Sequence, residues 1–422
     1  MLVLEASDRA GGVIRTLVDG GFTFECGPTT VPAASPSLRT LIRMLGLEAR
    51  LVWSESASSR RFVWRDGGLH ELPRGPGGLL GSDLLGPADK LRLLWEPFVR
   101  RGVGAEESLG DFVGRRFGRG VVDAFLEPFV KGVYAGDVDV LGAEAMPRLL
   151  DLEREYGSVL WGALRGRRQG VGALGRGLVS FPGGLEELTE AAAKHLGQRV
   201  RFGVRVSALE LHGDSMHVHT TGGGEDSALD ARRVVIATPA EPAGRLLDTL
   251  EPGLGRSLID IPHPEVVAVA LGYRCATPPE CMNAFGFLCA GAAPGPGQTH
   301  ILGALFPSSI FAERAPEGSV SAKVMLGGTS HPEVAEMTDQ DLVGTARRAM
   351  EALTTLKDPV TEHVFRYPRA IPQLLPGHAA RLREMRQRLC AWPGLALAGS
   401  YLAGVGVEAC VSSGFTSVAA SS

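Results

Sequence analysis

The chain has 422 residues, of which 44% are hydrophobic, and its formal net charge is -4. This length is enough for two or three domains with cores of their own. A charge so close to neutral gives no indication of a nucleic-acid partner. Six cysteines without a C-x-x-C pair or an accompanying histidine cluster predict no metal site and no disulfide framework, so a reducing cytoplasm is expected.

Residues 1–16 carry the motif around which the chain is organised. Leu4 closes a short apolar run that ends in the acid Glu5, and Arg9 and the pair Gly11-Gly12 follow. A buried parallel strand ending in a carboxylate is typical of a dinucleotide-binding βαβ unit, where the acid binds a ribose. Two glycines would allow the backbone to approach a pyrophosphate closely. The same residues also fit an ordinary strand with a surface glutamate and a turn, so this pattern alone leaves both readings open.

The rest of the chain alternates between strand and helix patterns. Strands are predicted at 20–25, 61–64, 69–72, 200–211, 216–221, 233–238, 266–273, 285–289, 300–306, 323–326, 361–367 and 395–398. Helices are predicted at 38–45, 185–196, 338–353 and 378–390, and in the segment that ends the chain. Ser35 or Ser37 would cap the first helix, and Pro239 would occupy the first position of a helix. Nucleotide-binding patterns at both ends and in the middle predict a discontinuous cofactor domain.

Residues 79–168 differ from the rest, because their helical patterns are broken by glycine and proline. Aromatic and aliphatic side chains are frequent in this block, and most of them fit a helical core. Some would instead form an apolar surface for a membrane or a substrate.

Five further motifs, taken in chain order, resemble those of one flavoprotein family. They are Phe24-Glu25-x-Gly27-Pro28, Gly132-Val133-Tyr134-Ala135-Gly136-Asp137, Phe285-Gly286-x-Leu288, Ile371-Pro372-Gln373 with Gly377-His378, and Gly404-Val405-Gly406-Val407-x-x-Cys410-Val411. With the Glu-Ala-x-x-Arg-x-Gly-Gly sequence at 5–12, they are similar to the protoporphyrinogen oxidase family of the FAD-dependent amine oxidase-like superfamily. Three segments depart from the family pattern: Thr29 replaces a common asparagine, Ser400-Tyr401 follows Gly399 where asparagine is frequent, and Glu408-Ala409 replaces the usual x-Asp.

The resemblance implies an α/β fold (α+β overall) with three parts. A Rossmann-like FAD-binding domain would comprise 1–50, 178–262 and 391–422. A mixed-sheet substrate-binding domain would comprise 51–78 and 263–390, and a helical, membrane-facing domain 79–177. The family's first strand and G-x-G-x-x-G loop would precede residue 1, so the chain is expected to be N-terminally truncated and to lack both.

The resemblance also implies the activity. FAD would take hydride from protoporphyrinogen IX to give protoporphyrin IX in heme biosynthesis, and oxygen would reoxidise the flavin to yield hydrogen peroxide. No catalytic acid or base is expected, since aromatisation drives the reaction. Coproporphyrinogen III as substrate and a flavin-free, porphyrin-binding remnant remain alternatives. Amine oxidation is disfavoured. Amine oxidases use a lysine near the flavin, and of the five lysines in this chain only Lys323 is a candidate.

Cofactor-binding residues are carried over from the resemblance position by position. Glu5 would bind the ribose, Arg9 and Gly12 the pyrophosphate with Gly11 at the turn, and Arg15 would lie near the flavin. The remaining FAD contacts would be Gly27, Pro28, the Val206 backbone, Thr238, Gly404, Val405, Gly406 and Val407. The last four begin a helix whose dipole would stabilise negative charge at the flavin's pyrimidine end.

Three residues are assigned to the substrate on the same basis. Arg61, or its neighbour Arg60, would pair with a ring propionate, because an arginine fork suits a carboxylate. Phe285 would stack on a pyrrole ring, and the Gly136 backbone would approach the edge of the macrocycle. The expected partners are a porphyrinogen, molecular oxygen and a membrane surface, with a homodimer left open. The expected location is cytoplasmic, peripheral or monotopic at the inner face of the cell membrane.

Overall fold

The structure is a computed structural model that describes residues 1–73, 75–102, 106–168, 177–223, 227–295 and 300–420. Its strands are β1 (Val3–Leu4), β2 (Thr16–Asp19), β3 (Phe22–Glu25), β4 (Val31–Pro32), β5 (Val52–Trp53), β6 (Phe62–Arg65), β7 (Gly68–Glu71), β8 (Leu178–Ser180), β9 (Val200–Arg201), β10 (Val204–His212), β11 (Ser215–Gly222), β12 (Ser227–Ala231), β13 (Val234–Ile236), β14 (Val266–Arg274), β15 (Gly286–Cys289), β16 (Ile301–Leu305), β17 (Ser319–Gly327), β18 (Thr361–Tyr367) and β19 (Leu395–Leu397).

Helices alternate with these strands along the chain. They are α1 (Pro36–Met44), α2 (Pro76–Gly81), α3 (Pro87–Trp95), α4 (Leu109–Phe117), α5 (Arg119–Val121), α6 (Glu127–Phe129), α7 (Pro147–Tyr156), α8 (Val159–Arg168), α9 (Glu186–Leu196), α10 (Ala240–Leu250), α11 (Arg256–Ile259), α12 (Pro307–Ile310), α13 (Asp339–Thr354), α14 (His378–Leu389), α15 (Ser400–Ala403) and α16 (Val407–Ala420). Two π-helical segments, Val122–Leu126 and Val130–Tyr134, flank α6. None of the helices in the described ranges is long and apolar enough to cross a bilayer.

A seven-stranded sheet forms the largest unit, with strand order β18-β14-β17-β16-β15-β6-β7. Its pairs are antiparallel except β6 with β15, which run parallel. Alternate side chains such as Val267, Val269, Ala322 and Val324 pack on one face into the largest core of the molecule. The opposite face carries Lys323 and is turned toward the β2–β3 hairpin, where Ala270 packs in the same cluster as two hairpin phenylalanines.

Parallel pairing occurs in two further places, each a two-stranded sheet. Strand β1 pairs with β9, and β13 pairs with β19. Strand β13 is followed by α10, and β19 by α15 and α16, as expected for a dinucleotide-binding fold. A core shared by the strands β10, β11, β13 and β19 and the helices α10, α11 and α14 joins these segments.

The helical region from α2 to α8 has a core of its own, which includes Phe112, Phe117 and Val130. A fully buried ion pair, Glu96 with Arg116, joins its helices. The Glu96 carboxylate accepts hydrogen bonds from the Val159 backbone N (3.0 Å) and from the Ser158 hydroxyl, and so satisfies the N-terminus of α8.

Most predicted elements are present, but the strand predicted at 200–211 is divided into β9 and β10, which belong to different sheets, and the strand predicted at 323–326 is only part of β17. Ser35 caps α1, since its hydroxyl accepts from the Leu38 backbone N at 3.4 Å. Pro239 is the residue before α10 rather than its first position, so the predicted start is wrong by one residue. Phe285 lies just outside β15, which begins at Gly286 because the Phe285 N–H bonds to Arg60 O outside the strand ladder.

Candidate functional site

Strand β1 ends in the carboxylate that the sequence assigns to a ribose. The Glu5 backbone N donates to Arg201 O at 2.9 Å and so continues the pairing with β9. Its Oε1 accepts hydrogen bonds from the Ser7 backbone N (2.8 Å) and the Ser7 hydroxyl (2.7 Å). Oε2 has no hydrogen bond among the residues that the structure describes. The carboxylate therefore keeps acceptor capacity for a ligand hydroxyl.

Arg9 holds the loop that follows. Its Nη1 donates to Ala10 O (3.0 Å) and Ile14 O (3.1 Å), and its Nη2 donates to Gly12 O. The guanidinium also pairs with Glu186 of α9 at 3.1 Å. Its donors are thus largely used within the protein, and its direct contact is with the loop that the sequence assigns to the pyrophosphate.

The two loop glycines have different surroundings. Gly11 has φ +108, and a Cβ there would lie 2.7 Å from Thr189 Oγ1, so close packing on α9 requires glycine. Gly12 has φ +57, and a Cβ built on it meets no atom within 4 Å. Space for a ligand therefore lies beside Gly12 rather than beside Gly11.

The turn after β3 lies against this loop. A Cβ on Gly27 would be 2.1 Å from Val13 O, so the two backbones touch. The Cys26 backbone N donates to Arg15 O at 2.8 Å, which fixes the strand above the turn. Arg15 and Cys26 also face Tyr367, whose pKa burial raises to about 12. The structure thus brings Arg15 and the Gly27-Pro28 turn together, while their contact with a flavin stays a prediction.

Glu25, at the end of β3, anchors a buried charged network. Its Oε1 accepts from the Leu185 backbone N (2.8 Å) and from Arg314 Nη2 (3.4 Å), and its Oε2 accepts from the Thr16 hydroxyl (2.9 Å). Burial raises the pKa of Glu25, and the nearby Arg314 opposes that shift. Arg314 also donates to Ser180 Oγ at 2.6 Å, so the network joins the hairpin to β8.

Lys323 is a further buried charged group, beside the turn after β3. Its side chain leaves β17 on the face opposite the main core and is 5% exposed. The ammonium donates to Gly27 O, and it lies 3.5 Å from Thr29 Oγ1. Burial lowers the pKa of Lys323 to about 8, while Glu25 and Cys26 oppose the shift.

Val206 lies in β10, and Thr238 follows β13. Val206 pairs with Thr220 in the β10–β11 hairpin, where the register shifts between Val206 and Ala208. Its side chain packs against the core beneath. Thr238 is half-buried after β13, and its hydroxyl donates to Pro239 O at 3.4 Å.

Gly404, Val405 and Gly406 connect α15 to α16, and Val407 begins α16. A Cβ on Gly406 would lie 2.4 Å from Glu408 Oε1, so that carboxylate folds back over the N-terminus of α16. Negative charge is stabilised at this end of a helix. The departure at Glu408 therefore places an acid at the position that the sequence assigns to the flavin's pyrimidine end.

The structure brings Arg61 and Phe285 together, while their roles toward a substrate stay predictions. The Arg61 guanidinium carbon lies 4.7 Å from the centre of the Phe285 ring. Partial burial of that guanidinium lowers the pKa of Arg61. Arg61 has no ion pair or side-chain hydrogen bond among the described residues, whereas Arg60 pairs with Glu71 at 3.4 Å. Of the two arginines, Arg61 is the one with an available charge.

Gly136 lies beside Gln373 rather than beside open space. A Cβ there would be 2.3 Å from Gln373 Oε1. The Gln373 amide donates to Tyr134 O (2.8 Å) and Ile371 O (3.0 Å), which fixes its position. A protein contact is therefore sufficient to explain this glycine, and its predicted approach to a macrocycle stays a prediction.

The donor set fits a flavin dinucleotide better than a metal ion. Glu5 has an unused carboxylate oxygen, and Gly12 borders open space where a pyrophosphate needs backbone approach. Within the described ranges, no group of three or more His, Cys, Asp or Glu side chains could hold a metal ion. All six cysteines are free.

Comparison with known proteins decides the family. Residues 1–420 match the family described as "Flavin containing amine oxidoreductase". The chain belongs to this family. The predicted FAD cofactor and oxidoreductase activity are confirmed at the family level, and so is the mixed α/β fold class.

Relatives narrow the position within the family. Protoporphyrinogen oxidase 1 of Arabidopsis thaliana chloroplasts is 30% identical, over 97% of this chain and 80% of the relative. Coproporphyrinogen III oxidase of Bacillus subtilis is 26% identical, over 99% of this chain and 90% of the relative. A crystal structure from Exiguobacterium sp. 255-15, named provisionally as a protoporphyrinogen oxidase, has a TM-score of 0.82 at 23% identity, over 99% and 92% of the two chains. The resemblance to protoporphyrinogen oxidases is therefore confirmed.

The sequence analysis assigns no role in flavin binding to two groups that lie at the site. They are the Glu25–Arg314 pair and the buried ammonium of Lys323. A signal for Lys323 was available, because it is a single charge within the apolar strand sequence SVSAKVMLG. No comparable pattern indicates Arg314, whose partners are distant in sequence.

Proposed function

We propose that this protein oxidises protoporphyrinogen IX to protoporphyrin IX in heme biosynthesis, using FAD. The names of its relatives support a porphyrinogen as the substrate. The structural observation that carries the proposal is the Arg61–Phe285 pair. Arg61 has no acidic partner among the described residues and is stacked on an aromatic ring, so it offers a carboxylate-binding group beside a ring-stacking residue. A porphyrinogen presents both a propionate and a pyrrole ring.

FAD would be held by Glu5, the loop of Arg9, Gly11 and Gly12, and the residues that follow β3 and β19. When bound, it supplies hydride acceptance, and oxygen then regenerates it with release of hydrogen peroxide. The protein's own contribution is to orient the substrate and to exclude competing reactions. Arg15, Val206 and Thr238 are proposed as further contacts.

We infer that the two parallel pairs, β1–β9 and β13–β19, belong to one sheet of the FAD-binding domain. Each pair is a separate two-stranded sheet in the structure, and parallel pairing of this kind is typical of a dinucleotide-binding domain. The three-part division at 1–50, 178–262 and 391–422, at 51–78 and 263–390, and at 79–177 is proposed on the same basis. The sheet that joins β6 and β7 to β14–β18 supports the middle unit.

The deciding experiment measures flavin content and then substrate oxidation. Protein made from Met1 and protein carrying any in-frame upstream coding sequence are purified, and their absorption spectra are compared. We expect flavin bands, bleaching on anaerobic addition of protoporphyrinogen IX, and porphyrin fluorescence when air is admitted. Flavin without bleaching would contradict the substrate, and absence of flavin from both forms would favour the porphyrin-binding remnant.

Two substrates serve as comparisons in the same assay. Coproporphyrinogen III shares the macrocycle but carries additional carboxylates, so the ratio of the two values of kcat/KM measures the preference. A primary amine tests the amine-oxidase alternative. In that alternative Lys323, which is buried, would be the lysine that the reaction uses. We expect no bleaching by the amine.

We also propose that the protein lies at a membrane surface. Leu91, Leu94, Trp95 and Phe98 form an exposed apolar patch on α3 and the turn after it, with Phe98 73% exposed. The Trp95 and Phe98 rings pack together at 5.1 Å, so the patch is continuous. Apolar and aromatic side chains on a helix surface are typical of interfacial membrane contact.

A vesicle experiment tests the patch. Trp95→Ser with Phe98→Ser should lower co-sedimentation with anionic phospholipid vesicles several-fold, because about 0.8 kcal/mol is lost per CH₂ removed from the interface. Trp53→Ser is the matched control, since Trp53 is exposed but lies outside the patch. Equal sedimentation of all three proteins would contradict membrane contact through this surface.

A further inference from the structure

Lys323 is a buried cation that the proposed reaction does not use. It lies on the central strand β17, between Ala270 of β14 and Leu305 of β16, so its backbone is fixed from both sides. The side chain crosses from the sheet to the turn after β3, where its acceptors are Gly27 O and Thr29 Oγ1. The turn is therefore attached to the seven-stranded sheet through one ammonium group.

No carboxylate lies within ion-pair distance of Lys323 among the described residues. Glu25 is the nearest acid that acts on it, and that acid is already bonded to Arg314, Thr16 and the Leu185 backbone. An ammonium has three donors, whereas a neutral amine has two and forms weaker bonds to the same acceptors. The hold on the turn thus depends on whether Lys323 is charged.

Other titratable groups surround this turn. Burial raises the pKa of Cys26 and raises that of Tyr367 to about 12. Burial also raises the pKa of Glu25, and the nearby Arg314 opposes that shift. Burial lowers the pKa of Lys323 to about 8, so this lysine loses its charge in weakly alkaline solution.

We propose that Lys323 is a positioning residue of the flavin site, which holds the turn at Gly27, Pro28 and Thr29 against the seven-stranded sheet and makes flavin affinity fall in alkaline solution. This inference rests on the proposed binding of FAD beside that turn. The ammonium holds the turn more firmly than the neutral amine does, so the protonated protein binds the flavin more tightly. Binding and protonation are then linked, since flavin binding favours the charged form of Lys323 by the same factor by which the charge strengthens flavin binding.

The test is the dissociation constant of FAD, followed by flavin fluorescence between about pH 7 and pH 9.5. For the wild type we expect the constant to rise roughly tenfold across this range. Lys323→Gln keeps one donor for Gly27 O but does not titrate, so its affinity should be weaker at pH 7 and constant above it. Lys357→Gln, at an exposed ion pair with Glu351, should retain the wild-type profile.

A second variant keeps the test decisive if Lys323→Gln does not fold. Thr29→Val removes one acceptor, so the midpoint of the pH profile should move to lower pH. A flat profile in the wild type, or an unchanged profile in Lys323→Gln or Thr29→Val, would overturn the inference while leaving FAD binding intact. Absence of FAD from every protein would overturn the proposed function itself, and this inference with it.

Discussion

Arg60 and Arg61 are neighbours in sequence with different surroundings. Arg60 lies over the Phe62 ring and pairs with Glu71, whereas Arg61 lies over Phe285 and has no acidic partner in the part of the chain that the structure describes. The sequence leaves both arginines open as the carboxylate ligand, because they are adjacent at the start of the predicted strand 61–64. The difference follows from the partner strand β7, which supplies the acid to one arginine only.

Replacing Arg61 should therefore impair substrate binding more than turnover. A hydrogen-bonded charge contributes about 1.5–3 kcal/mol, so Arg61→Met should raise KM for protoporphyrinogen IX roughly 10- to 100-fold with a smaller loss in kcat. Steady-state kinetics with porphyrin fluorescence measure both values. Arg65→Met is the control, since Arg65 pairs with the exposed Asp66. An equal effect of the two changes would argue against Arg61 as a carboxylate ligand.

Gly136 is predicted to tolerate no side chain. The Cβ of Gly136→Ala would meet Gln373 Oε1 at 2.3 Å and displace an amide that bonds to Tyr134 O and Ile371 O. Overpacking of this kind costs about 1–3 kcal/mol, which urea denaturation detects as a lower midpoint. Gly414→Ala, where a Cβ meets nothing, should leave the midpoint unchanged or raise it. A neutral Gly136→Ala would show that Gln373 moves freely.

At the scale of the elements, the buried Glu96–Arg116 pair decides how α3, α4 and α8 meet. Arg116 also donates to Val99 O (2.9 Å) and Gly157 O (2.7 Å), so one guanidinium joins three segments. Removing one partner leaves the other charged and buried. Arg116→Met should lower the free energy of unfolding by about 3–5 kcal/mol.

Chemical denaturation with matched variants measures this effect. The exposed pair of Arg43 with Glu48 is the control, and Arg43→Ala should cost less than about 0.5 kcal/mol. The double variant Glu96→Met, Arg116→Met should recover part of the loss, since no unpaired charge remains. A loss for Arg116→Met as small as that of the control would contradict the assigned role.

Sequence patterns predict the elements that carry their own periodicity and miss those defined by distant partners. Helices α9 and α13 are predicted to within one residue from spacing alone, whereas the strand predicted at 323–326 covers only part of β17. Strand β4 has two residues, and it exists because Val31 pairs with Val179 of β8. The same holds at the site. Glu5 and Gly12 belong to a local sequence motif, whereas the position of Arg314 depends on contacts with residues distant in sequence.

At the scale of the whole molecule, buried charges lie where the β2–β3 hairpin meets the seven-stranded sheet. Lys323 has a pKa of about 8 in the folded protein, against an ordinary value of 10.5. Between these values the unfolded chain binds more protons at this lysine, so stability rises with pH in that window. Below pH 8 both states are protonated, and the cost of burying the charge is constant.

The wild type should therefore gain about 1.4 kcal/mol per pH unit from this group between about pH 8 and pH 10.5. Lys323→Met lacks the gain, so the wild type should become more stable relative to the variant as pH rises. Urea titrations at several pH values measure the difference. The same series with Lys357→Met, at an exposed position, should show no trend below about pH 10. A constant difference for Lys323→Met would mean that this lysine remains charged.

The pairing of β6 with β15 and of β13 with β19 has a consequence for synthesis of the protein. Residues 62–64 pair with residues 287–289, which are synthesised more than two hundred positions later, and β13 pairs with residues 395–397. Since a ribosome delivers the N-terminal part first, neither sheet can be completed while the chain is still emerging. The apolar edges of β6 and β13 therefore stay unpaired during a long stretch of synthesis, and an unpaired strand edge is a place where another chain can pair and aggregation can begin.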